Sequence, residues 1–137
     1  MSLFNVIDVA GSAMNAQSIR LNVTASNLAN AGSVSGDPDK VYRARQPVFS
    51  AFQQSLADQT GVSGVRMEGL VESSAPLTVR YQPDHPEADE SGNVYVSNVN
   101  AIEEMVNMIS ASRSYKNNVE LINTTKDLLM QTLSLGR

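Results

Sequence analysis

The sequence of 137 residues predicts an α+β fold, in which long N- and C-terminal helices pair as an antiparallel coiled coil with a small β-rich middle insert. Three observations support this prediction. Apolar side chains recur every seven residues near both ends of the chain. All five prolines and most of the glycines lie between residues 33 and 98, and short β-like runs occur in the same stretch. We therefore divide the chain into an N-terminal helix (1–32), an outer insert (33–98) and a C-terminal helix (99–137).

The first predicted helix extends from Leu3 to Asn30, which corresponds to about 42 Å at the α-helical rise. Small residues surround its apolar stripe and allow neighbouring backbones to approach closely. Gly32 predicts a C′ stop after the last turn. The residues of the stripe that are seven apart are Ile7, Met14, Leu21 and Leu28.

The second predicted helix begins after Asn100, because Asn100 and Glu103 have the spacing of a capping box. The helix ends near Gly136 and is about 50 Å long. The residues that are seven apart are Met108, Tyr115, Ile122 and Leu129, and the intervening positions of the 3–4 pattern are Met105, Ser112, Val119, Lys126 and Leu133.

The middle of the chain contains four β-like runs, at residues 41–46, 65–71, 77–81 and 94–96. Each run is bounded by Gly, Pro, Asn, Asp or Ser, which are typical of turns. These runs predict a small β-rich insert between the two helices.

Charge is distributed unevenly along the chain, whose net charge is −4. The only charged residues in the segment 1–36 are Asp8 and Arg20. Acidic and basic residues are equal in number in the segment 100–137, so the excess of acidic residues lies in the middle of the chain. A helix free in water normally has a charged outer face, and the first helix lacks one. We therefore hypothesise that the terminal helices complete their burial against other subunits.

Several function classes are disfavoured by composition. The chain has no cysteine, which excludes disulfides, thiolate zinc sites and cysteine nucleophiles. Its single histidine, His85, lies in an acidic loop that fails the EF-hand pattern, because Val94 and Asn100 stand where Gly and Glu are required. The acidic balance argues against nucleic acid. We expect no enzymatic activity, no cofactor and no metal.

The sequence also gives expectations about membranes and targeting. No run of 18 apolar residues occurs, so we expect no membrane span. Residues 1–5 carry no basic residue before an apolar stretch, so we expect no Sec-type signal peptide.

Two stretches near the ends of the chain resemble the signatures of bacterial flagellar rod and hook proteins. Residues 20–31 contain the Asn-Leu-Ala-Asn-Ala stretch that ends the first helix in that family, and residues 98–115 resemble the matching C-terminal signature. The short length and residues 42–49 and 85–89 are similar to the C-type proteins of the basal-body rod. The resemblance covers nearly the whole chain and is weakest over residues 52–72.

The resemblance implies a structural subunit of the proximal rod, a tubular drive shaft that transmits torque and encloses the export channel. In that family the terminal helices form the inner tube and the middle segment faces outward. The implied partners are copies of the chain and other rod proteins, with export-gate and ring proteins nearby. The implied location is the periplasm-spanning basal body, reached through the flagellar type III export apparatus.

The helical stripes and the resemblance together define a candidate assembly interface. Asn27 and Asn30 carry amides in a nearly uncharged segment, and we expect them to hydrogen-bond the backbone of the helix end or of a neighbouring subunit. The candidate residues are Leu3, Ile7, Met14, Leu21, Asn27, Leu28, Asn30, Met105, Met108, Tyr115, Val119, Ile122, Leu129 and Leu133.

Two alternatives remain open from the sequence. One is another short rod subunit of the B type, which the size of the insert and the His85-Pro86 loop disfavour. The other is a soluble helical adaptor that binds a partner helix in a groove. An adaptor should have charged exposed helix faces, and the first helix does not.

Overall fold

A computed structural model describes residues 3–53 and 63–136 of the chain. Two long helices flank a middle segment with short strands, so the predicted α+β class is confirmed. The elements in chain order are α1 (Leu3–Ala29), β1 (Val34–Ser35), β2 (Arg45–Gln53), β3 (Ser63–Glu72), β4 (Thr78–Tyr81), β5 (Asn93–Val96) and α2 (Ala101–Leu135).

The chain forms two compact units. One unit comprises Met1–Leu21, Pro47–Gly69 and Ile109–Arg137. The other comprises Asn22–Gln46 and Leu70–Met108. The second unit contains the three-stranded sheet, the end of α1 and the start of α2.

Helix α1 has 27 residues and ends close to the predicted position. The predicted C′ glycine is wrong, because Gly32 is not in the left-handed region that such a cap requires. The chain leaves the helix through tight turns instead. The N–H of Asn30 donates to the Ser26 and Asn27 carbonyls, and the N–H of Ser33 donates to the Asn30 carbonyl.

Helix α2 has 35 residues, and its start agrees with the sequence prediction. The Asn100 Oδ1 accepts a hydrogen bond of 3.1 Å from the N–H of Ile102, as an N-cap side chain does. The N–H of Glu104 donates to the Asn100 carbonyl at 3.0 Å. Asn100 therefore satisfies a backbone donor at the end that the spacing predicted.

The strands form two sheets. One sheet has the order β1-β5-β4 with antiparallel pairs, in which Val34 lies opposite Val96 and Val79 lies opposite Tyr95. The other contains β2 and β3. Val94 and Val96 are buried, so one side of β5 belongs to the core.

All four predicted β-like runs overlap a strand: three coincide closely with β3, β4 and β5, but the run at 41–46 overlaps β2 only at its last two residues. Residues 41–44 are irregular, and the strand β2 begins only at Arg45. Strand β2 contains a proline, Pro47. It is tolerated because a strand of a two-stranded sheet has an open edge. The two-residue strand β1 was not predicted.

The most buried side chains of the helices are small or polar. On α1 they are Ala10, Ala16, Thr24 and Asn27, and on α2 they are Glu104, Ala111 and Thr125. The α2 positions are separated by seven and fourteen residues. At one intervening position of the predicted α2 pattern the neighbouring residue is buried instead, because Lys126 is exposed and Thr125 is buried. The short side chains among them, such as Ala10 and Ala111, allow another segment to lie close to the helix backbone.

Within residues 3–53 and 63–136, neither helix combines the length and apolarity that crossing a bilayer requires. No group of three His, Asp or Glu side chains in the same ranges is placed to hold a metal ion.

Candidate functional site

The amide of Asn27, in the last turn of α1, is the centre of a buried polar cluster and is only 1% exposed. Its Nδ2 donates to the Arg45 carbonyl at 2.8 Å and to Glu104 Oε1 at 3.1 Å. Its Oδ1 accepts from the Tyr42 hydroxyl at 2.8 Å and from the N–H of Arg45 at 3.0 Å. Two donors and two acceptor positions are thus all used, which is the full capacity of an amide side chain.

These bonds fix the start of strand β2. Because Asn27 bonds both the N–H and the carbonyl of Arg45, it takes the place of a strand partner at that residue. The Arg45 side chain continues outward and pairs with Glu72 at 3.0 Å. Its guanidinium also lies 5.4 Å from the centre of the Tyr42 ring, within the range of a cation–π contact. The cluster therefore connects the end of α1 to β2 and β3.

Glu104 brings the first turn of α2 into the same cluster. The residue is buried, and its Oε1 accepts from Asn27. Its Oε2 is also buried and has no hydrogen-bond partner among the described residues. Loss of Asn27 would leave this carboxylate without its amide partner as well, and burying an unpaired polar group costs free energy.

A second amide, Asn98, organises the chain just before α2. Its Oδ1 accepts from the N–H of Ala44 at 2.8 Å, and its Nδ2 donates to the Ala75 carbonyl at 3.0 Å. The Arg43 guanidinium donates to the same carbonyl at 3.3 Å and to that of Ser73 at 3.5 Å. Asn98 and Arg43 therefore hold the segment that precedes β4.

Asn30 has a local role. Its Nδ2 donates to the Ser26 carbonyl at 2.8 Å, so the side chain adds a second hydrogen bond to a carbonyl of the helix end, as expected. Asn27 differs from the expectation, because the backbone that it bonds belongs to β2 of the same chain.

Helix α2 exposes two groups of large apolar side chains. The first apolar patch follows an i, i+3, i+4, i+7 pattern, so its members share one face, and Ile102 is 73% exposed. The second apolar patch repeats every seven residues. The members of the first patch are Ile102, Met105, Val106 and Ile109, and those of the second are Leu121, Leu128 and Leu135.

The exposed face of α1 has the opposite character. Apart from Phe4 its side chains are small or polar, and only Asp8 is charged. We call the exposed residues of α1 other than Phe4 and Asp8 its uncharged face, namely Gly11, Asn15, Asn22, Ala25, Ser26 and Ala29.

The candidate interface residues fall into three groups by exposure. Asn27 is buried, and Met105 and Leu133 are exposed. The remaining residues are partly buried, namely Leu3, Ile7, Met14, Leu21, Leu28, Asn30, Met108, Tyr115, Val119, Ile122 and Leu129. Their part in assembly stays a prediction.

Sequence reasoning missed Tyr42, Arg45 and Glu104 as partners of Asn27, and it missed most members of the two apolar patches. A usable signal existed for the first patch, because Ile102, Val106 and Ile109 share the i, i+4, i+7 spacing and lie off the predicted stripe. No local pattern indicated the Asn27 contacts, which join residues far apart in sequence.

Comparison with known families gives matches near both ends of the chain. Residues 7–36 match the family model for the flagella basal body rod protein, and residues 90–135 match the C-terminal model of the flagellar basal body rod FlgEFG proteins. The matched regions include the uncharged face of α1, the Asn27 turn and all of α2.

The chain is also similar over its full length to individual proteins named flagellar basal-body rod protein FlgC. It is 52% identical to that of Yersinia enterocolitica and 49% identical to that of Salmonella typhimurium, with all of both chains covered. It is 43% identical to that of Buchnera aphidicola from Acyrthosiphon pisum, with 99% of each chain covered. Full-length identity at this level, together with the two family models, shows that the chain belongs to the FlgC family of flagellar basal-body rod proteins, and it is a structural subunit of that rod rather than an enzyme.

Proposed function

We propose that this chain assembles into the proximal rod through its terminal helices, which pair as an antiparallel coiled coil within each subunit and pack against neighbouring subunits. The observation that carries the proposal is the exposed apolar surface of α2. Contiguous exposed apolar surfaces of this kind mark interaction sites. Burial of one large aliphatic side chain contributes about 1.5–3 kcal/mol, so the first apolar patch alone offers several such contributions.

The pairing of the two helices is supported where the end of α1 and the start of α2 meet. The Asn27–Glu104 hydrogen bond joins them there. The chain leaves α1 at the same end at which it enters α2. The two helices would therefore run in opposite directions. The buried positions of α2 at seven-residue intervals are also those of a coiled-coil stripe.

The uncharged face of α1 supports assembly from the other side. Its small side chains let the backbone of another helix approach closely, and its lack of charge lowers the cost of removing water. In this proposal residues 1–32 and 99–137 form the inner part of the rod, and residues 33–98 form the outer part. The candidate interface residues then contact the partner helix or a neighbouring subunit.

The function that follows is mechanical. Packed helices of successive subunits transmit torque along the rod and enclose the export channel. The partners are copies of this chain and other rod proteins, with components of the export gate and of the rings nearby. The subunit reaches the periplasm-spanning rod through the flagellar type III export apparatus.

The test uses the substitution Ile109→Asp in a strain that lacks its own copy of this rod subunit. The carboxylate would have to be buried without a partner in the assembled rod, so we expect loss of swimming and of complete basal bodies. In the isolated chain Ile109 is exposed, so the helical circular dichroism signal should be unchanged.

The control is Ile109→Val, which keeps the position apolar and should retain swimming. If Ile109→Asp builds normal basal bodies, the proposal that this face is buried on assembly is wrong. If Ile109→Asp unfolds the isolated chain, Leu128→Asp and Leu128→Met, in the second apolar patch, provide the same comparison at another position.

A further inference from the structure

The outer side of the β4–β5 hairpin exposes a small aromatic surface. Val79 lies opposite Tyr95, and Tyr81 lies two residues further along β4 on the same side. Val79 is 54% exposed, Tyr81 is 72% exposed and Tyr95 is partly buried. The other side of β5 carries Val94 and Val96, which are buried. We call Val79, Tyr81 and Tyr95 the tyrosine patch.

The loop between the two strands, residues 82–92, is held by several internal hydrogen bonds. The N–H of Gln82 donates to the Gly92 carbonyl at 2.8 Å, and Asp89 Oδ1 accepts from the N–H groups of Ser91 and Asn93 at 2.9 and 2.8 Å. Gly92 has a positive φ of 78°, which a side chain would strain. The loop therefore presents its other side chains from a defined backbone.

Three of these side chains are carboxylates that have no ion-pair partner among the described residues. Asp84, Glu87 and Glu90 are exposed, and no salt bridge of the described residues includes them. Residues 78–96 contain four carboxylates and a single basic residue, Arg80. The hairpin thus accounts for most of the net negative charge of the chain.

We propose that the tyrosine patch and the loop carboxylates Asp84, Glu87 and Glu90, which we call the acidic rim, form a docking surface on the hairpin. The occupant is a protein partner, other than a copy of this chain, that contributes clustered Arg or Lys side chains. Tyrosine at the centre with charged residues at the rim is the composition of protein interfaces. A guanidinium can lie over a Tyr ring while it pairs with a neighbouring carboxylate. The same chain shows this arrangement once, where Arg45 lies over Tyr42 and pairs with Glu72.

The charge of the hairpin decides between partners. Nucleic acids and anionic membrane surfaces carry the same sign of charge and are repelled. A second copy that docked by its own hairpin would oppose carboxylates to carboxylates. A basic protein surface has the complementary charge. The docking surface lies wholly on the hairpin, so the proposal does not depend on how the terminal helices pack.

The test places a photo-crosslinking phenylalanine analogue at position 81 of the full-length chain in swimming cells. We expect a crosslinked product with one other protein, in which the attached peptide contains clustered Arg or Lys residues, as identified by mass spectrometry. The same analogue at Thr78 is the matched control, because Thr78 is exposed on the opposite side of the same strand. The control should give little of this product.

Charge reversal then tests the rim. The double substitution of Glu87→Lys and Glu90→Lys should lower the yield of the product about tenfold, and Glu68→Lys, at an exposed carboxylate of β3, should not. In cells that carry the doubly substituted chain, replacing the crosslinked basic residues of the partner by Glu should restore the yield. The proposal would be overturned if no product exceeded the Thr78 control, or if the product contained a second copy of the chain or carbohydrate. It would also be overturned by a crosslinked peptide without basic residues, or by a yield that the double substitution did not change.

Discussion

The two helices bury similar small or polar side chains but expose different kinds. Helix α1 buries Asn27 and Thr24 and exposes a face with a single charge at Asp8. Helix α2 buries Glu104 and Ala111 but exposes two groups of large apolar residues. A soluble helix ordinarily has the reverse of the α2 pattern.

This difference indicates how each helix obtains its stability. The end of α1 is fixed inside its own chain by the hydrogen bonds of Asn27, whose geometry is complete in the single subunit. Much of the apolar surface of α2 is left uncovered by the single subunit. Substitutions at the end of α1 should therefore change the free energy of unfolding of the isolated chain more than substitutions on the exposed face of α2.

The largest change is expected for Asn27→Ala. It leaves the N–H of Arg45, the Tyr42 hydroxyl and the Glu104 carboxylate with fewer partners, and each unpaired buried group costs about 1–3 kcal/mol. We expect a total loss of about 2–4 kcal/mol, since part of the site will admit water. Urea denaturation of the isolated chain measures it.

The control for that prediction is Asn30→Ala, which removes a single bond to the Ser26 carbonyl near the surface. Its cost should be below about 1 kcal/mol. Equal losses for the two variants would contradict the central place given to Asn27.

A smaller change is expected for Gly64→Ala, where β3 contacts α1. The Ser12 Oγ accepts from the N–H of Val65 at 3.1 Å and donates to the Val9 carbonyl at 2.8 Å. A Cβ at Gly64 would lie 2.9 Å from the Phe52 ring and 3.3 Å from this Oγ. Because the ring end can shift, we expect a loss of about 1–2 kcal/mol, measured by thermal denaturation.

The matched control is Gly69→Ala on the same strand, where an added Cβ meets nothing within 4 Å. Its effect should lie within about 0.5 kcal/mol of zero. A Gly64 variant as stable as the Gly69 variant would show that β3 does not contact α1 as described.

A still smaller, pH-dependent effect is expected at Asp37. The N–H of Asp39 donates to its carboxylate at 3.1 Å, and Lys40 lies 3.2 Å away, and these two contacts hold the pKa of Asp37 below its ordinary value. The stabilisation is therefore complete above the ordinary pKa and is lost as pH falls through the lowered one. An NMR titration should show a lowered pKa for Asp37 in the unsubstituted chain. In the double variant with Lys40→Ala and Asp39→Pro, the pKa of Asp37 should return to its ordinary value.

The smallest change is expected for Ile102→Ala on α2. The side chain is exposed in the single chain, so the free energy of unfolding should change by less than about 0.5 kcal/mol. The same substitution should reduce the number of basal bodies per cell, counted by electron microscopy. A large loss of stability in the isolated chain would remove the contrast between the two helices.

The sequence predicted the elements whose signals are local and periodic. Seven-residue spacing marked both helices, and Asn100 marked the start of α2 through the geometry of an N-cap. Short β-like runs bounded by turn residues located β3, β4 and β5. The family signatures near both ends predicted the rod family that full-length relatives show.

Contacts between distant residues could not be predicted in the same way. Asn27 bonds residue 45 and residue 104, and no local pattern indicates which backbone an amide will bond. The burial of Glu104 and Thr125 on α2 was not predicted, because both are polar and apolar periodicity does not detect them. Strand β1 has two residues, which is too short for any alternation to be visible.

The central claim, that assembly buries the apolar patches of α2, is tested most directly by cysteine accessibility. The chain has no cysteine, so Val106→Cys and Leu128→Cys each introduce a single thiol for maleimide labelling. Both thiols should react rapidly in the isolated chain, since both positions are exposed there. In purified basal bodies the account predicts that both are protected until the rod is denatured. Rapid labelling of both thiols in intact basal bodies would contradict it.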